Sequence, residues 1–320
     1  MTVINRVAGY FTDYLVVWVI ATVALAYFFP SAFAPLKPFM EWFFALTMFG
    51  IGTLLSSEDF KPIFKTPRVV TLGILAQFAI MPLAAFIIVK ILNLPPAIAF
   101  GLILAGAVPD AMAAGVMSYV AGADVALSVA LTTGTTLVAP VVTPALTYLF
   151  AREYIPIQFW PMLLSIVSMV IVPLFCGLAA RRYFYSHVEK IKPVFPALST
   201  IFIAFICGLV VALNRQSLGS ITGIVFLAVV LLNFSGLVLG YWAGVLFKFN
   251  KKQRRTLAIG VGMQNAGLGA VLAIKYASAE AAIPNALFAT WCIISAAILA
   301  GFWSRKVPDA TPKSNYREAI

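Results

Sequence analysis

Long apolar runs, each of about 20 residues, follow one another through almost the whole chain. This is the length that a helix needs to cross the hydrocarbon core of a bilayer. Of the 320 residues, 62% are hydrophobic and only 10% are charged, and the mean hydropathy is +1.00. A soluble protein of this size could not keep so much apolar surface out of water. The sequence therefore predicts an all-α, multi-pass membrane protein.

Ten runs can be distinguished, five before the loop at Arg152 and five after it. They cover residues 14–30, 37–55, 69–93, 96–121, 124–150, 157–180, 195–214, 219–247, 254–278 and 281–303. We therefore predict ten transmembrane helices. The polar, aperiodic tail at 306–320 is expected to be disordered.

Two of the ten runs are interrupted near their middle. Pro109 and Asp110 break the fourth run, and the motif GMQNAG, which begins at Gly262, breaks the ninth. Backbone that leaves a helix inside a bilayer persists only where protein or a cavity satisfies it. Two broken segments at corresponding places in two halves are typical of secondary transporters built from inverted repeats. We predict such repeats at 1–151 and 152–305; the alternative for the ninth run is a helix packed tightly through glycines.

The basic residues indicate the orientation in the membrane. Seventeen of the 22 fall in loops and tails on one side of a ten-helix arrangement: Arg6, and those within 61–68, 181–192, 248–255 and 305–317. Because positive charge is retained in the cytoplasm, both termini are expected to be cytoplasmic. The membrane is expected to be a bacterial-type inner (plasma) membrane.

Two functional classes are disfavoured by the same residues. The net charge of +11 is spread over short loops between apolar runs, so it predicts orientation in a lipid bilayer and not nucleic-acid binding. The only histidine, His187, lies in a charged loop, and Cys176, Cys207 and Cys292 lie in apolar runs, where we expect buried core thiols. We predict no enzyme, no catalytic residue and no organic cofactor, and we expect a monomer.

Polar residues inside the runs are few and grouped. Gln77 lies in the third run, Asp110 in the fourth and Gln264 with Asn265 in the ninth, while the fifth holds a group of hydroxyls that includes Ser128 and Thr132. The last two are four residues apart, so both point from one helical face. Hydroxyl, amide and unwound carbonyl oxygens are ligands that a hard cation such as sodium accepts. The alternative is that these hydroxyls bond back to their own helix.

Two motifs carry a resemblance to a known family. RTLAIGVGMQNAGLGAVLA, which begins at Arg255, resembles the signature R-T-x-x-I-E-V-G-M-Q-N-S-G-L-A of the bile acid:sodium symporter family, and P-x-x-x-A-x-x-V-M-x-Y-x-A-x-x-D-V-A-L-S-V-x-x-T, from Pro109 to Thr132, is the second match. The resemblance extends from about residue 10 to 305. It implies two inverted five-helix repeats, a panel domain of helices 1, 2, 6 and 7, and a core domain of helices 3–5 and 8–10. Helices 4 and 9 would be broken and would cross near the midplane.

The resemblance also implies a function and a set of site residues. The expected activity is the entry of a small organic anion, such as a bile acid, another carboxylate or a vitamin precursor. Entry would be coupled to sodium and would occur by alternating access. Carried over by position, the sodium ligands are Gln77, Ser128, Thr132, Gln264 and the backbone at Val261 and Met263. The substrate is expected at Asp110, Ala111, Met112, Asn233 and Asn265.

Three positions depart from the family pattern. Gly260 stands where the family has a glutamate, and Ala114 and Gly115 stand where it has serine and asparagine. Because these changes remove ligand oxygens, we expect sodium to bind weakly, and proton coupling or uncoupled transport become alternatives. Asp110, a carboxylate at mid-membrane, is either a functional group able to carry a proton or a cap of the half-helix after it. A non-transporting membrane sensor is the alternative from another class.

Overall fold

The protein is described by a computed structural model that covers residues 14–56, 58, 61–192, 194–216 and 218–304. Within these ranges every regular element is a helix. In chain order the α-helices are α1 (Leu15–Phe28), α2 (Pro30–Phe33), α3 (Met40–Leu54), α4 (Lys61–Lys65), α5 (Pro67–Leu92), α6 (Pro96–Ala107), α7 (Ala114–Val120), α8 (Val125–Ala151), α9 (Phe159–Ile166), α10 (Val172–Tyr183), α11 (Tyr185–Ile191), α12 (Val194–Asn214), α13 (Leu218–Leu246), α14 (Lys251–Gly262), α15 (Ala266–Tyr276) and α16 (Ile283–Ser304). A π-helical turn, Val167–Ile171, joins α9 to α10, and 3₁₀ turns occur at Ala34–Phe39 and Glu280–Ala282.

Several of these helices can span a bilayer. Among the described residues, six helical segments are long and apolar enough to cross a membrane, and a seventh is possible if the pair 15–28 and 30–54, bent by 108°, counts as one span. Large apolar side chains on their outer faces are exposed, as in Trp42 at 78% and Leu246 at 77%, which is expected of surfaces that face lipid. The all-helical membrane fold is therefore confirmed. The arrangement as ten spans in two inverted repeats stays a prediction.

The helices pack in two sets. In the first set α1 packs along α12, and α3 packs along α10 and α12. In the second set α13 packs on α5 and α14, α8 packs on α5 and α6, and α16 packs on α6, α13 and α15. The two sets meet where α9 contacts α8 and where α12 contacts α15 and α16. These are the helices that the resemblance assigns to a panel and a core domain, a division that stays a prediction.

Small residues let α3 and α10 approach each other closely. A Cβ atom added at Gly52 would lie 2.1 Å from the carbonyl oxygen of Leu174, and one added at Gly177 would lie 2.1 Å from that of Phe49. Neither glycine can therefore be replaced without separating the helices, which is how small residues promote helix packing in membranes. Arg181 strengthens this contact, because its Nη1 donates to the carbonyl oxygens of Leu54 and Leu55 at 2.6 and 2.7 Å.

Basic residues on the side opposite the predicted cytoplasmic loops are partly neutralised. Lys90 pairs with Glu153 and Lys275 pairs with Glu41, each at 2.7 Å. The N-terminal Arg6, the basic residues at 305–317 and the tail predicted to be disordered at 306–320 lie outside the described residues.

The cysteines are buried in two cases out of three. Cys207 and Cys292 lie in the interior, as expected, whereas Cys176 is exposed. The expectation for Cys176 was wrong because α10 turns this face outward, where Val172 and Phe175 are also exposed.

Candidate functional site at the two broken helices

The two interrupted segments meet and pair through their backbones. The amide of Ala111 donates to the carbonyl oxygen of Met263 at 3.0 Å, and the amide of Asn265 donates to that of Pro109 at 2.8 Å. Together they form a short antiparallel bridge between Asp110 and Gln264. The pairing satisfies polar backbone groups that could find no water inside a bilayer.

The local sequence explains where each helix breaks. Val108, at the end of α6, is extended with φ −75° and ψ 160°, because a following proline disfavours the helical conformation of the residue before it. Met263, at the end of α14, is also extended, with φ −112° and ψ 113°. The amide of Asn233 donates to the carbonyl oxygen of Gly262 at 2.8 Å and so stabilises this second break.

Asp110 is buried at the centre of the crossing, with 2% of its surface exposed. Its Oδ2 accepts a hydrogen bond of 2.8 Å from the hydroxyl of Thr132, and its Oδ1 has no hydrogen-bond partner among the described residues. Asp110 does not cap the next half-helix: α7 has Ala113 at its N-cap position and no side-chain cap. The capping interpretation is therefore wrong for this helix, and the functional role of Asp110 stays a prediction.

Gly260 faces the same carboxylate. A Cβ atom added at Gly260 would lie 3.2 Å from Oδ2 and 3.8 Å from Cγ of Asp110, and outside the helix itself no other described atom would come within 4 Å. The side chain of Asp110 therefore occupies the space into which a side chain at position 260 would project.

The two predicted glutamines are hydrogen-bonded to each other beside Asp110. Nε2 of Gln77 donates to Oε1 of Gln264 at 2.8 Å, and Nε2 of Gln264 donates to the carbonyl oxygen of Val261 at 2.8 Å. A small cavity of about 10 Å³ lies between α5, α8 and α14. The residues that line it include Gln77, Asp110, Thr135 and Val261. The volume of this cavity is close to the smallest that holds one water molecule.

Half of the residues that line this cavity carry groups that a hard cation accepts. Gln77, Asp110, Thr135 and Val261 have amide, carboxylate, hydroxyl and carbonyl oxygens, which hard cations prefer, whereas the apolar Leu131 and Leu257 complete the lining together with two glycines. The residues present at the crossing therefore fit sodium, the ion that the resemblance implies.

Other predicted ligands lie apart from this group. Ser128 accepts a hydrogen bond of 3.2 Å from Ser118, a buried residue that the sequence analysis missed although it lies inside the second motif. Ala114 is buried, whereas a Cβ atom added at Gly115 would meet nothing within 4 Å. Position 115 therefore faces open space.

One edge of the crossing is partly exposed and faces the other set of helices. Ala111, Met112 and Asn265 are half-buried, and Oδ1 of Asn265 caps α15 by accepting from the amide of Leu268 at 3.1 Å. A Cβ atom added at Gly267 would lie 3.1 Å from the ring of Phe202 and 3.7 Å from that of Phe44. These rings belong to an aromatic cluster that was not predicted, because only the fold brings it together: Phe43, Phe44, Phe202 and Phe205.

The two broken segments are also joined at their ends on the side of the basic loops. The buried Arg255 donates from Nη1 to the carbonyl oxygen of Ala121 at 2.9 Å. The hydroxyl of Thr256 donates to the carbonyl oxygen of Asp124 and accepts from its amide, both at 2.9 Å. The arginine and threonine that open the first motif therefore hold the loop between α7 and α8 against α14.

Known proteins resemble this chain over most of its length. The sequence profile of the sodium bile acid symporter family matches residues 42–221. The chain is 39% identical over 307 residues to the uncharacterized sodium-dependent transporter YocS of Bacillus subtilis, with 96% of each chain covered. It is 34% identical over 296 residues to the probable chloroplastic sodium/metabolite cotransporter BASS1 of Arabidopsis thaliana, covering 91% of this chain and 73% of the relative. It is 30% identical over 316 residues to the chloroplastic BASS2 of Oryza sativa subsp. japonica, with 98% and 75% covered.

Proposed function

The chain belongs to the sodium bile acid symporter family, and from this premise we propose that it moves a small organic anion across a bacterial-type plasma membrane by alternating access. It is a multi-pass membrane transporter and not an enzyme. The observation that carries the proposal is the backbone pairing of the two broken helices at Asp110 and Gln264. Transporters place their solute and ion sites at such discontinuous helices.

The solute site lies at the exposed edge of the crossing. Ala111, Met112 and Asn265 line this edge on the core side, and the rings of Phe44 and Phe202 approach it from the panel side. Polar backbone and amide groups on one wall and aromatic rings on the other favour a solute with an anionic group and an apolar body. The family description and the relatives' names, which refer to bile acids and to metabolites, support the same class.

Asn233 has a supporting part in this site. It is 1% exposed, and its side-chain amide donates to the carbonyl oxygen of Gly262. Its effect on the solute is therefore indirect, because it fixes the backbone at the break.

Sodium is the coupling ion that the relatives' names favour. Gln77, Thr132 and Gln264, with the carbonyl of Val261, would hold it beside the crossing. Bound sodium would supply a positive charge that offsets negative charge at the site. Ser128 and Met263 complete the ligand set that the resemblance implies.

Alternating access would require the two helix sets to separate on one side at a time. The sets are joined by polar contacts on the side opposite the basic loops. Lys275 of α15 pairs with Glu41 of α3 at 2.7 Å, and Ser165 of α9 lies 2.6 Å from the hydroxyl of Tyr276. These contacts fit a conformation that is closed towards the outside.

Uptake into proteoliposomes tests this function. A panel of bile acids and small carboxylates is first screened by thermal shift, and the stabilising compounds are then offered under an inward sodium gradient, an inward proton gradient or no gradient. Faster uptake under the sodium gradient supports symport with sodium. Equal uptake in all three conditions indicates an uncoupled carrier, a proton-driven component indicates proton coupling, and no uptake of any stabilising compound favours a sensor.

A matched pair of variants tests the solute site. Asn265→Asp keeps a capping oxygen for α15 but adds a negative charge at the exposed edge, so uptake of an anion should fall at least tenfold. Asn250→Asp adds the same charge to the equivalent cap of α14, where Asn250 accepts from Gln253 at the far end of the same broken segment, and uptake should be little changed. Equal uptake by the two variants would place the solute elsewhere.

A further inference from the structure

Asp110 and Gly260 share one place in the structure although they come from different halves of the chain. The only described group outside α14 that a Cβ atom at Gly260 would touch is the carboxyl of Asp110, 3.2 Å away at Oδ2. A side chain at position 260 would therefore crowd the carboxyl of Asp110, and glycine leaves this space free. We expected weak sodium binding because position 260 lacks a carboxylate. In the structure the carboxyl of Asp110 lies beside this position, so the site does contain a carboxylate.

The carboxylate of Asp110 lacks the partners that a buried charge requires. The hydroxyl of Thr132 donates to Oδ2 and the backbone amide of Ala111 also interacts with the carboxyl, while Oδ1 meets no hydrogen-bond criterion among the described residues. Within the same part of the chain no lysine, arginine or histidine pairs with it, since the ion pairs there all involve glutamates. An unpaired ionised carboxylate is strongly unfavourable in an apolar interior, so a carboxyl that is 2% exposed either takes up a proton or is joined by a cation.

The size of the cavity beside Asp110 matches a small cation rather than an ammonium group or a larger ligand. The cavity that Asp110 lines has a volume of about 10 Å³, enough for one particle of the size of a water molecule. Gln77, Thr135 and Val261 line it too and bring amide, hydroxyl and carbonyl oxygens. A bare monovalent cation fits this space, and several oxygen ligands of which one is charged raise its affinity.

We propose that Asp110 is the charged ligand of a sodium ion bound beside Gly260, so that the first broken segment supplies the carboxylate that the second one lacks. The inference rests on the proposed function for the identity of the ion. The inference adds Asp110 to the expected sodium ligands, and it gives Gly260 the role of leaving space beside the Asp110 carboxyl.

A charge exchanged between two positions has a distinctive mutational pattern. Asp110→Asn keeps the shape and an oxygen that accepts from Thr132 but removes the charge, so sodium binding should be lost. Gly260→Glu alone places a second carboxylate against the first, and like charges at this distance repel. Asp110→Gly combined with Gly260→Glu returns a single carboxylate to the site, so sodium binding should return. Neighbouring residues that share one role show such non-additive effects.

Sodium binding can be measured without any solute. The purified protein in detergent is unfolded thermally in sodium chloride, potassium chloride or choline chloride at equal ionic strength. A ligand that binds only the folded protein raises the unfolding midpoint in a saturable way. We expect this rise with sodium for the wild type and for the double variant Asp110→Gly with Gly260→Glu, and no rise for Asp110→Asn. Gly260→Glu should unfold at a lower temperature than the wild type in choline chloride, because its two carboxylates repel each other.

A matched control separates loss of the ion from general destabilisation. Thr143 is buried and donates to the carbonyl oxygen of Ala107 at 2.8 Å, close to the first break but outside the cavity. Thr143→Val should lower the midpoint in every salt and keep the rise with sodium.

The possible results distinguish this inference from the proposed function. A wild type that sodium does not stabilise overturns the inference, as does an Asp110→Asn variant that keeps the full rise. A double variant that is monodisperse and lacks the rise shows that the two positions do not exchange one charge; if it does not fold, Asp110→Asn decides alone. Solute uptake without a sodium-induced rise would overturn only the sodium site, and a sodium-induced rise without uptake of any solute would overturn only the transport proposal.

Discussion

Removing the ion pair between Glu41 and Lys275 should shift the protein towards conformations that are open on that side. The pair joins the beginning of α3 to the end of α15 at 2.7 Å, and these helices belong to the two different sets. Glu41→Gln keeps the size of the side chain and removes its charge. The contacts within each set are unaffected, so the change acts on the equilibrium between closed and open states and not on the fold.

The size of the shift follows from the exposure of the pair. The side chains of Lys275 and Glu41 are 32% and 33% exposed, so water and salt screen their attraction in part. Exposed pairs are worth about 0.2–1 kcal/mol, and the partial burial of this one places it near the upper end. Since about 1.4 kcal/mol corresponds to a tenfold change in an equilibrium constant, the open fraction should rise by about two- to fivefold, and less at high salt.

Distances between spin labels measure the open fraction directly. Labels at cysteines replacing Lys37 and Ala277 report the separation of the two sets, in a background with Cys176→Ala because that native thiol is exposed. The matched control is Glu153→Gln, which breaks the pair with Lys90 at the same distance of 2.7 Å; this pair joins α5 to the turn directly after α8, and both helices belong to the second set.

We expect the longer distance to gain population in Glu41→Gln and not in Glu153→Gln. The reversed pair, Glu41→Lys with Lys275→Glu, should restore the wild-type distribution. If both single variants give the same distribution, the Glu41 pair does not hold the two sets together and the reasoning is refuted.

Two further predictions concern the break in α14 and the orientation. Asn233→Leu leaves the buried carbonyl of Gly262 without its donor, so stability should fall by about 1–3 kcal/mol, seen as a lower thermal midpoint; Phe234→Leu, at an exposed neighbouring position, is the control and should change little, and equal midpoints for both would show that the bond is not needed. A thiol at Lys252→Cys, in the background lacking Cys176, should react with an impermeant maleimide only after the cells are opened, because the positive-inside rule predicts that the basic loops are cytoplasmic. Labelling of intact cells would reverse the orientation.

The helical membrane fold and the positions of the breaks could be predicted from the sequence because their causes are local. The length of each apolar run determines whether it can cross a bilayer. Pro109 disfavours a helical conformation at the residue before it, and α6 does end at Ala107, just before the extended Val108. The polar motif after Gly262 likewise coincides with the end of α14. Each of these features depends on residues within a few positions of one another.

The sequence also selected the residues of the crossing but assigned some of their roles too simply. Gln77, Thr132 and Gln264 lie around Asp110, although their role as sodium ligands stays a prediction. Asn265 proved to be a helix cap. Nothing in the local sequence shows which of several hydrogen bonds a side chain such as this one will make, because the competing partners arrive from other helices.

Only the tertiary structure decided that Asp110 and Gly260 face each other. They lie in different halves of the chain, and their proximity depends on the backbone bonds of Ala111 with Met263 and of Asn265 with Pro109. In the sequence, the carboxylate at Asp110 and the carboxylate missing at Gly260 are two separate departures from the family pattern. In the folded protein they are one arrangement, because a Cβ atom at position 260 would lie only 3.2 Å from Oδ2 of Asp110 and a longer side chain would project towards this carboxyl.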